Sequence, residues 1–281
     1  MTTLEFRDVV KRYNVRGRAD KLTAVNHVSF TLESGKTTAL VGQSGSGKST
    51  IAKLITQLEH PDEGAILLDG EPVRRRGAGL RDYRHNVQMV FQDPFASLNP
   101  YHSIGHHLAR PLQLHGRAST RADVEQKIHE LLERVRLTPA REVAAKHPHE
   151  LSGGQRQRVA IARALAPEPT VLIADEPVSM LDVSIRLGVL NLLADLQRQE
   201  NLGLLYITHD LATARHFSDE ILVMYKGEIV ERGPADDVIL NPQHEYTKRL
   251  AAAAPNPELR LAQLPTNRSA AMAAGKSDRN V

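Results

Sequence analysis

No cysteine occurs among the 281 residues. That excludes disulfides, thiolate metal sites and iron–sulfur ligation by cysteine, and it leaves the redox compartment open. No apolar run approaches the length of a membrane span, and the opening MTTLEFRDVVKRY lacks the layout of a signal peptide. A soluble cytosolic protein is the expectation. Neither sign of charge dominates, with 36 Lys and Arg against 33 Asp and Glu, and a formal net charge of +3 is too small to argue for nucleic acid. The basic run Arg74-Arg75-Arg76, with Arg81 and Arg84, has no interleaved aromatics for base stacking and reads as a solvated face. The 13 histidines show no metal-ligand spacing. His102, His106, His107, His115, His147 and His149 read as surface or core residues. What is present is ordinary for a globular protein, 41% hydrophobic and 25% charged, and long enough for one large domain or two small ones.

The first stretch reads as β-rich. Residues Leu4–Val9 and Ala24–Leu32 alternate, and Glu33-Ser34-Gly35-Lys36 makes a turn. Thr37–Val41 is a short buried-type strand running into a glycine-rich loop, with helical spacing from Ser49 onward. Turns at Asp62-Glu63-Gly64 and Asp69-Gly70 bracket a strand at Ala65–Leu68. From Thr120 to Leu137, Val124, Ile128, Leu131, Leu132 and Val135 fall at helical spacing, with Thr120 and Asp123 as a capping pair. This predicts a mostly helical insert between Pro94 and about Ala166. An α/β pattern then returns, with strands at Val171–Ala174, Leu204–Thr208, Ile221–Tyr225 and Glu228–Glu231, and helices at Ile185–Gln199 and after Asp210. Strands alternating with helices predict a largely parallel sheet behind an antiparallel front. The tail from Ala251 is rich in alanine, proline and asparagine, and its last portion is expected to be poorly ordered.

Gly42-Gln43-Ser44-Gly45-Ser46-Gly47-Lys48-Ser49 matches G-x-x-x-x-G-K-[ST] and is followed by Thr50. Its glycines let successive N–H groups converge on a β-phosphate. Lys48 can neutralise the β- and γ-phosphates, and the Ser49 hydroxyl can ligate Mg²⁺. Val171–Ala174 is an apolar strand that delivers Asp175 and Glu176 to the edge where ligands bind in open α/β sheets. Asp175 can hold Mg²⁺ through water, and Glu176 can deprotonate an attacking water. Leu151-Ser152-Gly153-Gly154-Gln155 precedes an arginine-rich helical run, placing a hydroxyl and N–H groups at a helix N-terminus, an anion site. The chain already carries one phosphate loop, so this second site calls for the nucleotide of a partner subunit. Gln92, His209 and Asp182 follow or neighbour these strand ends. Taken singly, each reads more readily as a structural or solvent-facing residue.

Together the motifs resemble the ATP-binding subunits of ABC transporters over nearly the whole chain, to about Pro255. Gly42–Ser49 is similar to their Walker A, Gln92 to the Q-loop, Leu151–Gln155 to the signature motif and Val171–Asp175 to Walker B. Glu176 matches the catalytic glutamate, Ser179-Met180-Leu181-Asp182 the D-loop with Met for Ala, and His209 the switch histidine. Tyr13 is similar to the aromatic residue that stacks on adenine, although a tyrosine ending a strand also reads as packing.

The resemblance implies an α/β fold, a RecA-like P-loop NTPase core with an antiparallel β subdomain and an inserted α-helical subdomain. Residues 1–250 would form the ATPase domain, with the insert at about 94–166, and 251–281 a C-terminal extension, largely disordered. It also implies ATP and Mg²⁺, the latter at Ser49, Gln92 and Asp175. The implied partners are a second ABC ATPase subunit (the same chain or a paralogue), two permeases and, indirectly, an extracytoplasmic solute-binding protein, with no nucleic acid. The implied location is the cytoplasmic face of the inner membrane.

Phe91–Pro100 (FQDPFASLNP) and Asp175–Arg186 (DEPVSMLDVSIR) resemble the oligopeptide/dipeptide importer branch. Asn241–Leu250 is similar to that branch's C-terminal H-P-Y-T-x-x-L element, with Glu245 in place of Pro. The ASLNP form leans toward the second of the two ATPases such importers often use. Relatives carrying nickel, oligosaccharides or other solutes remain alternatives. A soluble ABC ATPase is a further one, although paired cassettes or a long coiled coil are missing. A P-loop kinase or GTPase would have no reason to carry LSGGQ.

Overall fold

The computed structural model describes residues 2–14 and 20–253. Strand β1 (Thr3–Tyr13) pairs antiparallel with β2 (Leu22–Glu33), longer than the alternating stretches predicted because both continue past their buried centres into half-exposed ends. A tight turn leads to β3 (Thr37–Val41), buried at every residue. The glycine-rich loop follows, then α1 (Lys48–Ile55), which starts at Lys48 on Gly47 in a left-handed conformation. Strand β4 (Glu63–Leu68) returns to β1, and the short β5 (Glu71–Pro72) completes a four-stranded antiparallel sheet in the order β2-β1-β4-β5.

Helix α2 (Gly77–Asn86) was not anticipated. Only Tyr83 of it is buried, so it carries no apolar stripe to read. Arg74, Arg75, Arg76, Arg81 and Arg84 are exposed around it. Strand β6 (Val87–Val90) then leads into a helical stretch comprising α3 (Pro94–Ser97), α4 (Ile104–Leu114), α5 (Arg121–Arg134), α6 (Ala140–Ala145), one 3₁₀ turn (Pro148–Glu150) and α7 (Gly153–Leu165). On α5, Val124, Ile128, Leu131 and Leu132 are buried at the predicted spacing. Its cap is split. The Thr120 hydroxyl accepts from the Asp123 N–H at 3.2 Å, while the Asp123 carboxylate accepts from Ser119, one residue earlier than a capping box requires.

The remaining elements are β7 (Val171–Asp175), α8 (Val183–Gln199), β8 (Gly203–Thr208), α9 (Leu211–Phe217), β9 (Glu220–Tyr225), β10 (Glu228–Pro234), α10 (Ala235–Leu240) and α11 (Glu245–Ala253). The second sheet has six strands in the order β10-β9-β3-β8-β7-β6, parallel except at β9–β10. Its central strands β3, β8 and β7 are buried along their whole length because both faces are covered, and they are mostly apolar, with threonines at the start of β3 and the end of β8. Ala39, Val41, Leu172, Ala174, Leu204 and Tyr206 face a core shared with the helices. The alternate residues Leu40, Val171, Ile173, Leu205 and Ile207 face a second core with α1 and the antiparallel sheet.

This layering aims the chemistry. Because β3, β8, β7 and β6 are parallel and in register (Val41 beside Thr208, Asp175 beside Ile207, Val90 beside Ala174), their C-terminal ends share one edge. The expected disorder of the tail falls mostly outside the described residues, but α11 carries the chain helically through Ala251 to Ala253.

Candidate functional site

The glycine-rich loop leaves β3 at the shared edge and borders a cleft of 1260 Å³. Two of its glycines are required by their surroundings. A Cβ at Gly42 would sit 2.3 Å from the Met224 carbonyl oxygen, and Gly47, at φ +114°, would bring one 2.3 Å from the Ala24 carbonyl oxygen. The loop is tied by Ser46 N–H to the Gln43 carbonyl (3.2 Å) and by Gly227 N–H to the Ser46 carbonyl (2.9 Å). Lys48 is buried, and its ammonium donates to the carbonyls of Gly42 (2.6 Å) and Gln43 (3.0 Å). Burial pushes its pKa down, and the carboxylates of Glu176 and Asp175 pull it back up.

Gln92, Glu176 and His209 are brought together across the ends of β6, β7 and β8. Gln92 Nε2 donates to Glu176 Oε2 at 3.1 Å, and His209 Nδ1 lies 3.2 Å from Glu176 Oε1. All three line the same cleft as Lys48, Ser49 and Thr50, and so does Tyr13. Glu176 sits at φ +43°, a left-handed backbone that costs a non-glycine residue about 1–2 kcal/mol. The turn is held by its N–H to the Ile207 carbonyl (2.9 Å) and by Ser179, which donates to the Glu176 carbonyl from its N–H (3.1 Å) and its hydroxyl (3.0 Å). Glu176 is one of nine non-glycine residues with positive φ among those described, and it lines the cleft.

Asp175 lies one residue deeper. With Ser49 and Gln92 it borders an adjoining groove of 930 Å³. Burial, then the neighbouring Glu176 charge, raises its pKa to about 6, against the opposing pull of Lys48. The Ser49 hydroxyl, the Gln92 amide and the Asp175 carboxylate are hard oxygen donors, and the two adjacent carboxylates carry negative charge that a cation would offset. The set fits Mg²⁺. Among the described residues no cluster of three His, Cys, Asp or Glu forms a cage for a metal. Mg²⁺ commonly takes few protein ligands and completes its shell with water and phosphate oxygens.

The raised pKa has a consequence for stability. Folded Asp175 holds its proton up to about pH 6, whereas the unfolded carboxyl releases it near 3.8. Its contribution is therefore fully present below about pH 4 and lost as pH rises through 6. At neutral pH and without metal the ionised group costs about 2–3 kcal/mol. In chelator, Asp175→Asn is expected to melt above the parent chain at pH 7.5 and to lose that advantage near pH 4. A lower melting temperature at pH 7.5 would contradict the reading.

The signature residues occupy a different surface. Ser152 caps α7, its hydroxyl accepting from Gln155 N–H (3.3 Å) while Gln155 Oε1 accepts from Ser152 N–H (2.9 Å). This reciprocal cap leaves the N–H groups of Gly153 and Gly154 without a partner inside the helix. The two glycines differ in purpose. A Cβ at Gly154 would meet Ile185 Cγ2 at 2.6 Å, so that glycine permits α7 to pack on α8. At Gly153 the nearest atom is Leu181 Cδ2 at 3.5 Å, an ordinary contact that leaves room for a side chain. None of Ser152–Gln155 borders the cleft of their own chain, and neither does Asp182, exposed at the start of α8. The structure thus groups the loop, Gln92, Glu176, His209 and Tyr13, and leaves the signature apart.

The sequence reading missed Tyr246, whose hydroxyl accepts the Gln43 N–H at 2.9 Å from 203 residues away. Its only signal was membership of the C-terminal motif.

Comparisons with known proteins bear on the family and the fold. Residues 25–179 match the family described as ABC transporter. The chain is 46% identical to the di/tripeptide transport ATP-binding protein DppF of Pseudomonas aeruginosa (strain UCBPP-PA14), over 90% of this chain and 79% of that one. It is 47% identical to the oligopeptide transport ATP-binding protein OppF of Bacillus subtilis (strain 168), over 84% and 77%. Among solved structures it superposes with a TM-score of 0.73 and 29% identity on the ATP-binding cassette MJ0796, a dimer in a post-hydrolysis state bound to ADP and Pi, covering 83% of this chain and 98% of that one.

Proposed function

The chain belongs to the ABC transporter family, and from that premise we propose that it is the ATP-hydrolysing subunit of an importer for di-, tri- or oligopeptides. The observation that carries the ATPase reading is the convergence of Lys48, Gln92, Glu176 and His209 on the mouth of the phosphate loop. The peptide cargo is supported by the relatives at 46–47% identity, which are peptide transport ATP-binding proteins.

ATP binds along the loop from Gly42 to Thr50, with Tyr13 at the cleft wall to take the base. Lys48 exchanges the carbonyls of Gly42 and Gln43 for phosphate oxygens. Ser49, Gln92 and Asp175 would hold Mg²⁺, which would supply positive charge against the phosphates. Glu176 takes the proton of the attacking water, and His209, beside it, stabilises charge developing on the γ-phosphate. The cap over that phosphate comes from Ser152 and Gly154 of a second subunit, identical or paralogous, with Gly153 between them and the D-loop Asp182 at the same face. Because the cap touches the γ-phosphate, ATP favours the closed dimer over the open one more than ADP does. That difference is what drives a conformational cycle.

Among the described residues no helix is long and apolar enough to cross a membrane. In this reading passage falls to separate permease subunits. The ATPase sits peripherally on their cytoplasmic face. The helices from Pro94 to about Ala166 form the subdomain that meets the permeases, within an ATPase domain of residues 1–250.

The test is reconstitution of the chain with its permeases in vesicles. Peptide-loaded binding protein is expected to stimulate ATP turnover and drive peptide accumulation, while nickel or oligosaccharide does neither. Recovery of the chain free of membranes, with RNA or DNA bound, would overturn the transport reading.

A further inference from the structure

The C-terminal motif at Asn241–Leu250 has no part in the chemistry above, yet it is built into the phosphate loop. Tyr246 is buried, its ring stacked on Tyr225 with centroids 4.2 Å apart, and its hydroxyl accepts the Gln43 N–H at 2.9 Å. Thr247 beside it is fully buried, while Leu250 and Ala253 border the nucleotide cleft. The segment is anchored from outside the cleft by Glu231 on β10. Its carboxylate accepts the N–H groups of Gln243 (2.7 Å) and His244 (3.0 Å). His244 Nδ1 in turn accepts the Tyr246 N–H at 3.1 Å, fixing the first turn of α11. Glu245, where the resembling motif has Pro, is the first residue of that helix and pairs with Lys248 at 2.9 Å. Proline and an acidic residue both suit a first helical position, so this departure leaves the strap intact.

Resting on the nucleotide-binding reading, we propose that residues 241–253 are a strap that holds the phosphate loop in its binding shape, with Tyr246 as the positioning residue. Three interactions hold the Gln43 backbone: Ser46 N–H and Lys48 Nζ at its carbonyl, and the Tyr246 hydroxyl at its N–H. Bound phosphate competes for the Lys48 ammonium. Once Lys48 turns to phosphate, the entrance of the loop depends on Ser46 and Tyr246. The strap therefore matters most to the loaded loop, and its loss acts on nucleotide affinity rather than on the rate of the chemical step.

Tyr246→Phe keeps the ring and its stack and removes one hydrogen bond. In the full chain, calorimetric titration with ATP is expected to show binding weakened about three- to tenfold, the range of one such bond. KM for ATP should rise in parallel, kcat at saturation should stay within about twofold, and the melting temperature should be little changed. Glu231→Ala, remote from the cleft, is expected to weaken ATP binding through the same strap. The double variant should be no weaker than the worse single one, since both release one element. Parental ATP affinity in Tyr246→Phe, or losses that multiply in the double variant, would overturn the proposal. Failure of the parent chain itself to bind ATP would instead remove the nucleotide reading on which it rests.

Discussion

Glu176→Gln is expected to bind ATP as the parent chain does and to hydrolyse it about 10²–10⁴ times more slowly, the range for loss of a general base. The substitution preserves shape. Glu176 accepts from Gln92 and neighbours His209, and a glutamine oxygen can keep the Gln92 contact while the group loses its capacity to take a proton. Its strained turn is fixed by backbone bonds to Ile207 and by Ser179, none of which involves the carboxylate, so the loop geometry should survive. With hydrolysis blocked, the ATP-bound dimer should accumulate, visible as an ATP-dependent doubling of mass in sedimentation that ADP does not produce. Undiminished turnover would remove Glu176 from the role of base.

Gly153→Asp is expected to cost at least about 10²-fold in turnover while leaving the fold and ATP binding to the chain's own loop intact. A side chain fits there, the nearest atom being 3.5 Å from the new Cβ. An aspartate in the first turn also suits the helix dipole, so α7 should be no less stable. It nonetheless sets a negative charge where a γ-phosphate must approach, and like charges at contact separation in a closed site repel by several kcal/mol. Gly154→Asp would be the poorer probe, because Ile185 occupies the space and a folding defect would follow. A Gly153→Asp chain with parental turnover would exclude a phosphate from this helix end.

The parts of the site legible in the sequence were those fixed by short-range pattern. Buried parallel strands are largely apolar, so a turn to charged or amide residues marks where they end. Asp175-Glu176, Thr208-His209 and Gln92 stand at such ends. The glycine loop is equally local. Helix α2 was illegible because it buries one side chain and leaves its arginines in water, giving no periodic stripe. Both signature glycines read as open N–H groups, and only the approach of Ile185 separates one for packing from one for the surface. Tyr246 lies beyond any local rule. Its contact with Gln43 exists because β9, β10 and α10 return the chain to the loop.

The central claim is that each active site is completed by the signature of another subunit, since Ser152–Gln155 do not border their own cleft. Mixing two inactive chains tests it most directly. Lys48→Ala lacks a working phosphate loop but keeps its signature, and Gly153→Asp keeps the loop but lacks a working signature. A mixed dimer contains one site built from the sound half of each. The account predicts that the mixture regains ATP turnover, up to half that of the parent per mixed dimer, while either variant alone stays inactive. Mixed dimers that form but show no turnover above the separate variants would contradict it.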